Sequence, residues 1–95
     1  MNEYSHSRII AHLDELRAFG TGGAIVFKTS NKTFRITRKL FSFESQRERA
    51  EFGNVYQIWA LDVTWKTVTE LKRSAAIKFI KSLSDLELLG YRSGA

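Results

Sequence analysis

The chain has 95 residues, of which 43% are hydrophobic and 26% are charged, and its formal net charge is +5. This size and composition predict a single folded domain over residues 1–95. The absence of cysteine excludes disulfides, thiolate nucleophiles and cysteine-ligated zinc. The N-terminal residues lack the pattern of a signal peptide, and no apolar run approaches the roughly 20 residues of a membrane helix. We therefore expect a cytoplasmic protein that does not bind membranes.

The first half of the chain predicts a helix followed by a β-hairpin. Apolar residues in 3–19 recur at spacings of three and four, which is the period of an amphipathic helix. Residues 24–29 and 33–38 are rich in β-branched and aromatic side chains, and a short polar turn separates them. In the second strand Arg35 and Thr37 alternate with apolar residues, so we expect them on the face away from the core.

The second half predicts one long strand and one helix. Residues 55–65 alternate between two faces, and this pattern assigns Trp59 to the core. Tyr56 then falls on the opposite face, beside the cations of the hairpin. Residues 67–70 have the threonine-to-glutamate spacing of a capping box, which predicts a helix that begins there and ends at Gly90. A second capping pattern at residues 84–87 leaves open a break and restart of this helix near Ser84.

The resulting order is α-β-β-β-α. It predicts an α+β fold in which a three-stranded antiparallel sheet carries two helices packed on one face. The alternation changes phase after residue 38, so we expect the sheet to bend there.

The predicted order is similar in layout to that of double-stranded-RNA-binding domains, with Lys72-Arg73-Ser74-Ala75-Ala76 placed in the second helix. The resemblance implies that basic residues of this helix meet phosphates across a groove. The chain departs from that pattern in two ways. Its basic residues follow the first helical turn, and the glycine-rich approach to the helix is missing.

The cations are concentrated in two segments. Residues 24–39 contain five cations and no acid, and residues 66–81 contain five cations and one acid. We expect the two segments to form one positive surface that binds phosphates, with Tyr56 stacking on bases. The predicted nucleic-acid-binding residues are Lys28, Lys32, Arg35, Arg38, Lys39, Lys66, Lys72, Arg73, Lys78, Lys81 and Tyr56.

No catalytic or metal-binding pattern is recognisable, so we expect no enzymatic activity, no metal and no cofactor. His6 and His12 are the only histidines, and their spacing does not place them on one helical face. Glu44, Glu48 and Glu51 interleave with arginines, which is typical of a solvated segment. A small basic toxin ribonuclease remains a third alternative, although such toxins have strands that the predicted order lacks.

Two functional hypotheses remain open. The first is a basic, non-enzymatic module that binds RNA, DNA or a ribonucleoprotein through the sheet face and the C-terminal helix. The alternative is a phage- or mobile-element-type protein that binds a host protein complex and inhibits or modulates it, since aromatic side chains are common interface anchors. The candidate anchors are Phe41, Phe43, Phe52 and Trp65. A homodimer formed through exposed sheet edges is compatible with either hypothesis.

Overall fold

The computed structural model of the chain describes residues 3–16, 23–39 and 55–94. The elements in chain order are α1 (Glu3–Glu15), β1 (Ala24–Lys28), β2 (Thr33–Arg38), β3 (Val55–Asp62), β4 (Thr64–Lys72), α2 (Arg73–Ser82) and β5 (Glu87–Arg92). The predicted α+β class is confirmed. The predicted number of strands is wrong, because the described residues form a five-stranded sheet in the order β4-β3-β2-β1-β5. Each neighbouring pair is antiparallel.

Both helices pack on the same face of this sheet. Ile25, Ile36 and Ile58 lie side by side in β1, β2 and β3, and all three are fully buried. Leu13 of α1 and Ile80 of α2 belong to the same buried cluster. Burial of side chains of this size stabilises the fold by about 1.5–3 kcal/mol each, so this layer is the main source of stability. Neither helix of the described residues has the length and apolar character needed to cross a bilayer.

The face assignment predicted for β3 is wrong. Cross-strand partners in a sheet point to the same side, and Ile58 lies opposite Ile36. Tyr56, Ile58 and Ala60 therefore face the helices, and Tyr56 is only 1% exposed. Trp59 points to the other side, where it is half-buried rather than part of the core.

A turn at Val63 divides the segment that the sequence predicts as one strand. Val63 has a φ of 65° and is 97% exposed. The chain reverses direction at this residue, and Thr64–Lys72 pairs with β3 instead of starting a helix. The predicted capping box at residues 67–70 is therefore wrong. Helix α2 begins at Arg73 without a side-chain hydrogen bond at its N-cap.

The residues predicted as the end of the second helix form β5 instead. This strand pairs with β1, and Gly90 lies opposite Val26 within the strand rather than ending a helix. Asp85, with a φ of 55°, lies in the connection that follows α2. Within residues 3–16, 23–39 and 55–94 the order of elements is therefore α-β-β-β-β-α-β. The layout similarity to double-stranded-RNA-binding domains does not hold.

The end of β5 approaches the start of β1 very closely. A Cβ atom built on Gly23 would lie 3.0 Å from the Ser93 carbonyl oxygen, and Gly94 has a φ of 87°. Such a φ and such a contact both favour glycine, because a side chain would clash or strain the backbone. The two glycines therefore allow the end of β5 to lie directly beside the start of β1.

Candidate nucleic-acid interface

The sheet face opposite the helices is made of alternate residues from all five strands, and we call it the open face. No helix of the described residues covers it. Its members follow from the strand registers and are Ala24, Val26, Lys28, Thr33, Arg35, Thr37, Lys39, Val55, Gln57, Trp59, Leu61, Trp65, Thr67, Glu70, Lys72, Glu87 and Arg92. The placement of Arg35 and Thr37 on this face agrees with the sequence prediction.

Arg35 lies on the central strand of the sheet, and its side chain contacts two indole rings of the open face. Its guanidinium carbon lies 4.7 Å from the ring centroid of Trp59 and 4.7 Å from that of Trp65. The negative faces of the rings attract the cation, and the planar guanidinium stacks on them better than an ammonium group does. The Arg35 Nε atom is buried and has no hydrogen-bond partner among the described residues. The two rings therefore provide the main partners of this part of the side chain.

A chain of hydrogen bonds fixes the side chains on one flank of Arg35. Trp59 Nε1 donates to Thr37 Oγ1 at 2.8 Å, and Thr37 Oγ1 donates to Gln57 Oε1 at 3.4 Å. Gln57 Nε2 donates to Glu70 Oε2 at 3.2 Å, and Lys39 Nζ donates to Glu70 Oε1 at 3.1 Å. The donors from Lys39 and Gln57 hold the pKa of Glu70 below its usual range. Glu70 therefore stays ionised and offsets the charge of Lys39.

The predicted cationic residues do not lie on one surface. Lys28, Arg35, Lys39 and Lys72 belong to the open face. Lys32 lies in the turn between β1 and β2. The other five lie on the helix side of the sheet and are Arg38, Lys66, Arg73, Lys78 and Lys81. The expected convergence of the two basic segments is therefore wrong. The pleat of the strands and the packing of α2 place some of their side chains on the open face and others on the helix side of the sheet.

Tyr56 and Arg38 contact the end of α1 instead of the open face. The Tyr56 hydroxyl donates to the Leu13 carbonyl oxygen at 2.9 Å, and Arg38 Nη1 donates to the Leu16 carbonyl oxygen at 2.8 Å. The last carbonyls of a helix have no partner within the helix, so these two side chains satisfy them. Burial raises the pKa of Tyr56. The predicted base-stacking role of Tyr56 is incompatible with this position.

Arg73 joins the two helices. Its Nε donates to Asp14 Oδ1 at 2.7 Å, and its Nη2 donates to Asp14 Oδ2 at 2.9 Å. This two-point contact lowers the pKa of Asp14. The resemblance placed Arg73 against phosphates, but here it is already engaged by a carboxylate.

The two histidines connect α1 to the C-terminal part of the chain. His6 Nε2 donates to the Leu83 carbonyl oxygen at 2.7 Å. The ring of His12 stacks on Tyr91 with centroids 3.7 Å apart, and its Nδ1 contacts Glu15 Oε1 at 2.9 Å. Both side chains thus have structural contacts. Among residues 3–16, 23–39 and 55–94, no three His, Asp or Glu side chains are grouped so as to hold a metal ion.

The protein-interface candidates are only partly described. Phe41, Phe43 and Phe52 lie outside the described residues, whereas Trp65 is half-buried on the open face. Among the described residues, exposed large apolar side chains occur instead at Leu61 and Val63 by the β3–β4 turn, at Val68 in the middle of β4 and at Leu89 in β5.

Sequence reasoning missed Trp59 as a surface residue. The sequence does contain a signal for this position, because Trp59 follows Ile58 directly. If Ile58 pairs with Ile36 in the core, the next residue, Trp59, must lie on the other face beside Arg35. No protein-family model, curated protein or solved structure matches this chain.

Proposed function

We propose that the chain is a non-enzymatic module that binds single-stranded nucleic acid on the open face of its sheet. One observation carries this proposal: Arg35, on the central strand, stacks against the rings of Trp59 and Trp65 on a face that carries further cations. Proteins that bind single strands combine a basic surface that follows the phosphates with aromatic rings that contact bases. The open face offers both in one place.

The positions of the lysines suit an extended strand. Lys28 lies at the end of the open face near the β1–β2 turn, opposite Thr33. Lys39 follows β2 at the other end, six residues from Thr33, and Lys72 lies opposite Val55 at that same end. At about 3.3 Å per residue, these ends are roughly 20 Å apart. Several nucleotides cover this length, with Arg35 and Trp59 between the two ends and Trp65 towards the Lys28 end.

Two acids moderate the charge of this surface. Glu70 is paired with Lys39, and Glu87 lies opposite Lys28. The open face still carries an excess of positive charge, because its five cations, Lys28, Arg35, Lys39, Lys72 and Arg92, outnumber Glu70 and Glu87. Binding by such a surface depends strongly on salt, because each phosphate contact releases a counterion. The proposal therefore predicts moderate affinity that falls as salt rises.

A pair of matched double variants tests where the strand binds. The variant Lys28→Gln/Lys39→Gln changes the open face, and Lys78→Gln/Lys81→Gln removes the same charge from the exposed side of α2. Fluorescence anisotropy with a labelled single-stranded oligonucleotide is measured at several salt concentrations. We expect the open-face variant to bind about tenfold more weakly than the wild type. The slope of log affinity against log salt concentration, called the salt slope below, should shrink by about 1.4, because each lost phosphate contact removes about 0.7. The α2 variant should lose less than about twofold.

Two outcomes would contradict the proposal. An equal loss in both double variants would mean that net charge, and not the open face, determines binding. Absence of binding by the wild-type chain at low salt would remove the proposed function altogether. Single-stranded RNA and DNA of the same sequence are compared in the same assay to decide which of them is preferred.

A protein partner is the second candidate function, and the apolar β3–β4 turn favours it. Val63 is 97% exposed in spite of its apolar side chain, and Leu61 and Val68 are 43% and 59% exposed. Exposed apolar groups of this kind are common at protein interfaces. Three results together would support this candidate. The wild-type chain captures a partner protein, and the complex survives nuclease treatment. The complex is lost in Val63→Asp but not in Lys81→Asp. Loss of the partner on nuclease treatment alone would instead indicate a ribonucleoprotein.

A further inference from the structure

We infer that Trp65 is the residue on which an unpaired base stacks, and that Arg35 positions it for this contact. The inference rests on the proposed function and assigns its ligand class, the unpaired nucleobase of a single strand. Base stacking on Trp65 would contribute to affinity separately from the phosphate contacts of the lysines. It also distinguishes the roles of the two tryptophans, which the sequence alone does not.

Trp59 is fixed in place and covered. It lies in β3 between two neighbouring strands, and its indole N–H is donated to Thr37. The Arg35 guanidinium lies over its ring. Trp59 is therefore fixed by its hydrogen bond and by its position between two strands, and these two features, not the cation, distinguish it from Trp65.

Trp65 is placed differently. It lies on β4, which has a neighbour on one side only among the described strands, and it is half-buried opposite the exposed Leu61. The Arg35 guanidinium carbon lies 4.7 Å from the centroid of its ring. Within the described part of the chain, no other ring stacks on Trp65. An indole on the outermost described strand, with one cation over it and no ring stacked on it, is the better placed of the two to accept an aromatic ligand.

The ligand class follows from the chemistry of this contact. Every base has a π-face, so stacking on Trp65 tolerates any sequence but requires an unpaired base. In a duplex the bases are stacked on each other and their faces are not accessible, whereas the phosphates remain accessible. The inference therefore predicts a preference for single strands over duplexes, beyond what charge alone gives.

The experiment compares a single-stranded oligonucleotide with an abasic strand of the same length and phosphate number, and with a duplex of the same sequence. We expect the wild-type chain to bind the base-containing strand about tenfold more tightly than the abasic strand, which is the effect of one stacked base. Trp65→Leu should remove this difference without changing the salt slope, and Trp65→Tyr should restore most of it. Arg35→Lys should reduce it partly, because an ammonium group keeps the charge but does not stack.

A fluorescence readout identifies the ring directly. The chain contains two tryptophans, so Trp59→Phe leaves Trp65 as the sole emitter. We expect its emission to be quenched by the base-containing strand and unchanged by the abasic strand. Circular dichroism confirms that each variant is folded before its binding is interpreted.

The outcomes separate this inference from the proposed function. Equal, salt-dependent binding of the base-containing and abasic strands would overturn stacking by Trp65 while leaving the phosphate contacts of the open face intact. Loss of discrimination in Trp59→Phe but not in Trp65→Leu would assign the contact to the other ring and overturn the inference. Absence of binding to all three ligands would overturn both proposals.

Discussion

Arg35 and Trp59 lie directly opposite each other on β2 and β3, and the guanidinium carbon of Arg35 is 4.7 Å from the centroid of the Trp59 ring. A charged residue at the middle of a five-stranded sheet is thereby held by aromatic rings rather than by a carboxylate. The arrangement keeps the positive charge at the surface while the side chain remains ordered. It is the feature of the open face from which the functional proposals start.

The stack predicts that Arg35→Lys destabilises the protein even though the charge is retained. We expect the free energy of unfolding to fall by about 1 kcal/mol, because an ammonium group cannot stack between the two indoles. Urea denaturation measures the change, and a red shift of the tryptophan emission reports the greater exposure of the rings. The control is Arg92→Lys, at the sheet edge, which should leave both measurements unchanged. Equal stability of Arg35→Lys and the wild type would show that the stack contributes nothing.

Removal of the Tyr56 hydroxyl should destabilise the fold without affecting ligand binding. Tyr56→Phe leaves the Leu13 carbonyl oxygen without this donor, and we expect a loss of about 1–2 kcal/mol in the free energy of unfolding. Affinity for an oligonucleotide should be unchanged, because Tyr56 faces the helices. A clear loss of affinity in a folded Tyr56→Phe variant would contradict its assignment to the core.

The raised pKa of Tyr56 predicts a dependence of stability on alkaline pH. Burial keeps this hydroxyl protonated in the folded state at pH values where the unfolded chain loses the proton. The stability contributed by this group is present below the ordinary tyrosine pKa and is lost as pH rises through the higher folded value. Thermal denaturation above about pH 10 should therefore show a shallower decline for Tyr56→Phe than for the wild type.

Two carboxylates predict a dependence on acid pH. Arg73 lowers the pKa of Asp14 mainly through its hydrogen bonds, and Lys39 lowers that of Glu70. The stability that they contribute is present above the ordinary carboxyl pKa and is lost as pH falls through the lower folded values. The effect should be small, because solvent screens exposed pairs. The melting temperature of Asp14→Asn should change less between pH 6 and pH 3 than that of the wild type, and an identical change would contradict the pairing.

Val63→Gly should stabilise the protein. A β-branched residue at a φ of 65° is strained, and Val63 is almost fully exposed, so its side chain contributes little packing. We expect a gain of about 1 kcal/mol in the free energy of unfolding, because glycine adopts this conformation without a steric penalty. Val68→Gly, in the middle of β4, is the control and should destabilise. If Val63 anchors a protein partner, Val63→Gly should weaken that complex although the chain itself becomes more stable.

The sequence predicted well those elements in which apolar and polar residues alternate with a regular spacing. The apolar spacing in α1 and the alternation in β1 and β2 place these elements with nearly the observed bounds. The alternation of β2 also places Arg35 on the open face. The turn at Val63 was missed because residues 62–64 contain no glycine, proline or asparagine. The pattern at residues 67–70 resembled a capping box, but pairing with β3 determined its structure.

The sequence by itself therefore determined the α+β class, the amphipathic helix, the first hairpin and the outward position of Arg35, because each depends on the spacing of neighbouring residues. Only the tertiary structure decided that β4 and β5 join the sheet, since strand pairing is a long-range choice that local propensity does not fix. The register between β2 and β3 placed Trp59 outside and Tyr56 inside. A shift of one residue exchanges the two faces of a strand, so the composition of the open face depends on contacts between residues far apart in the chain.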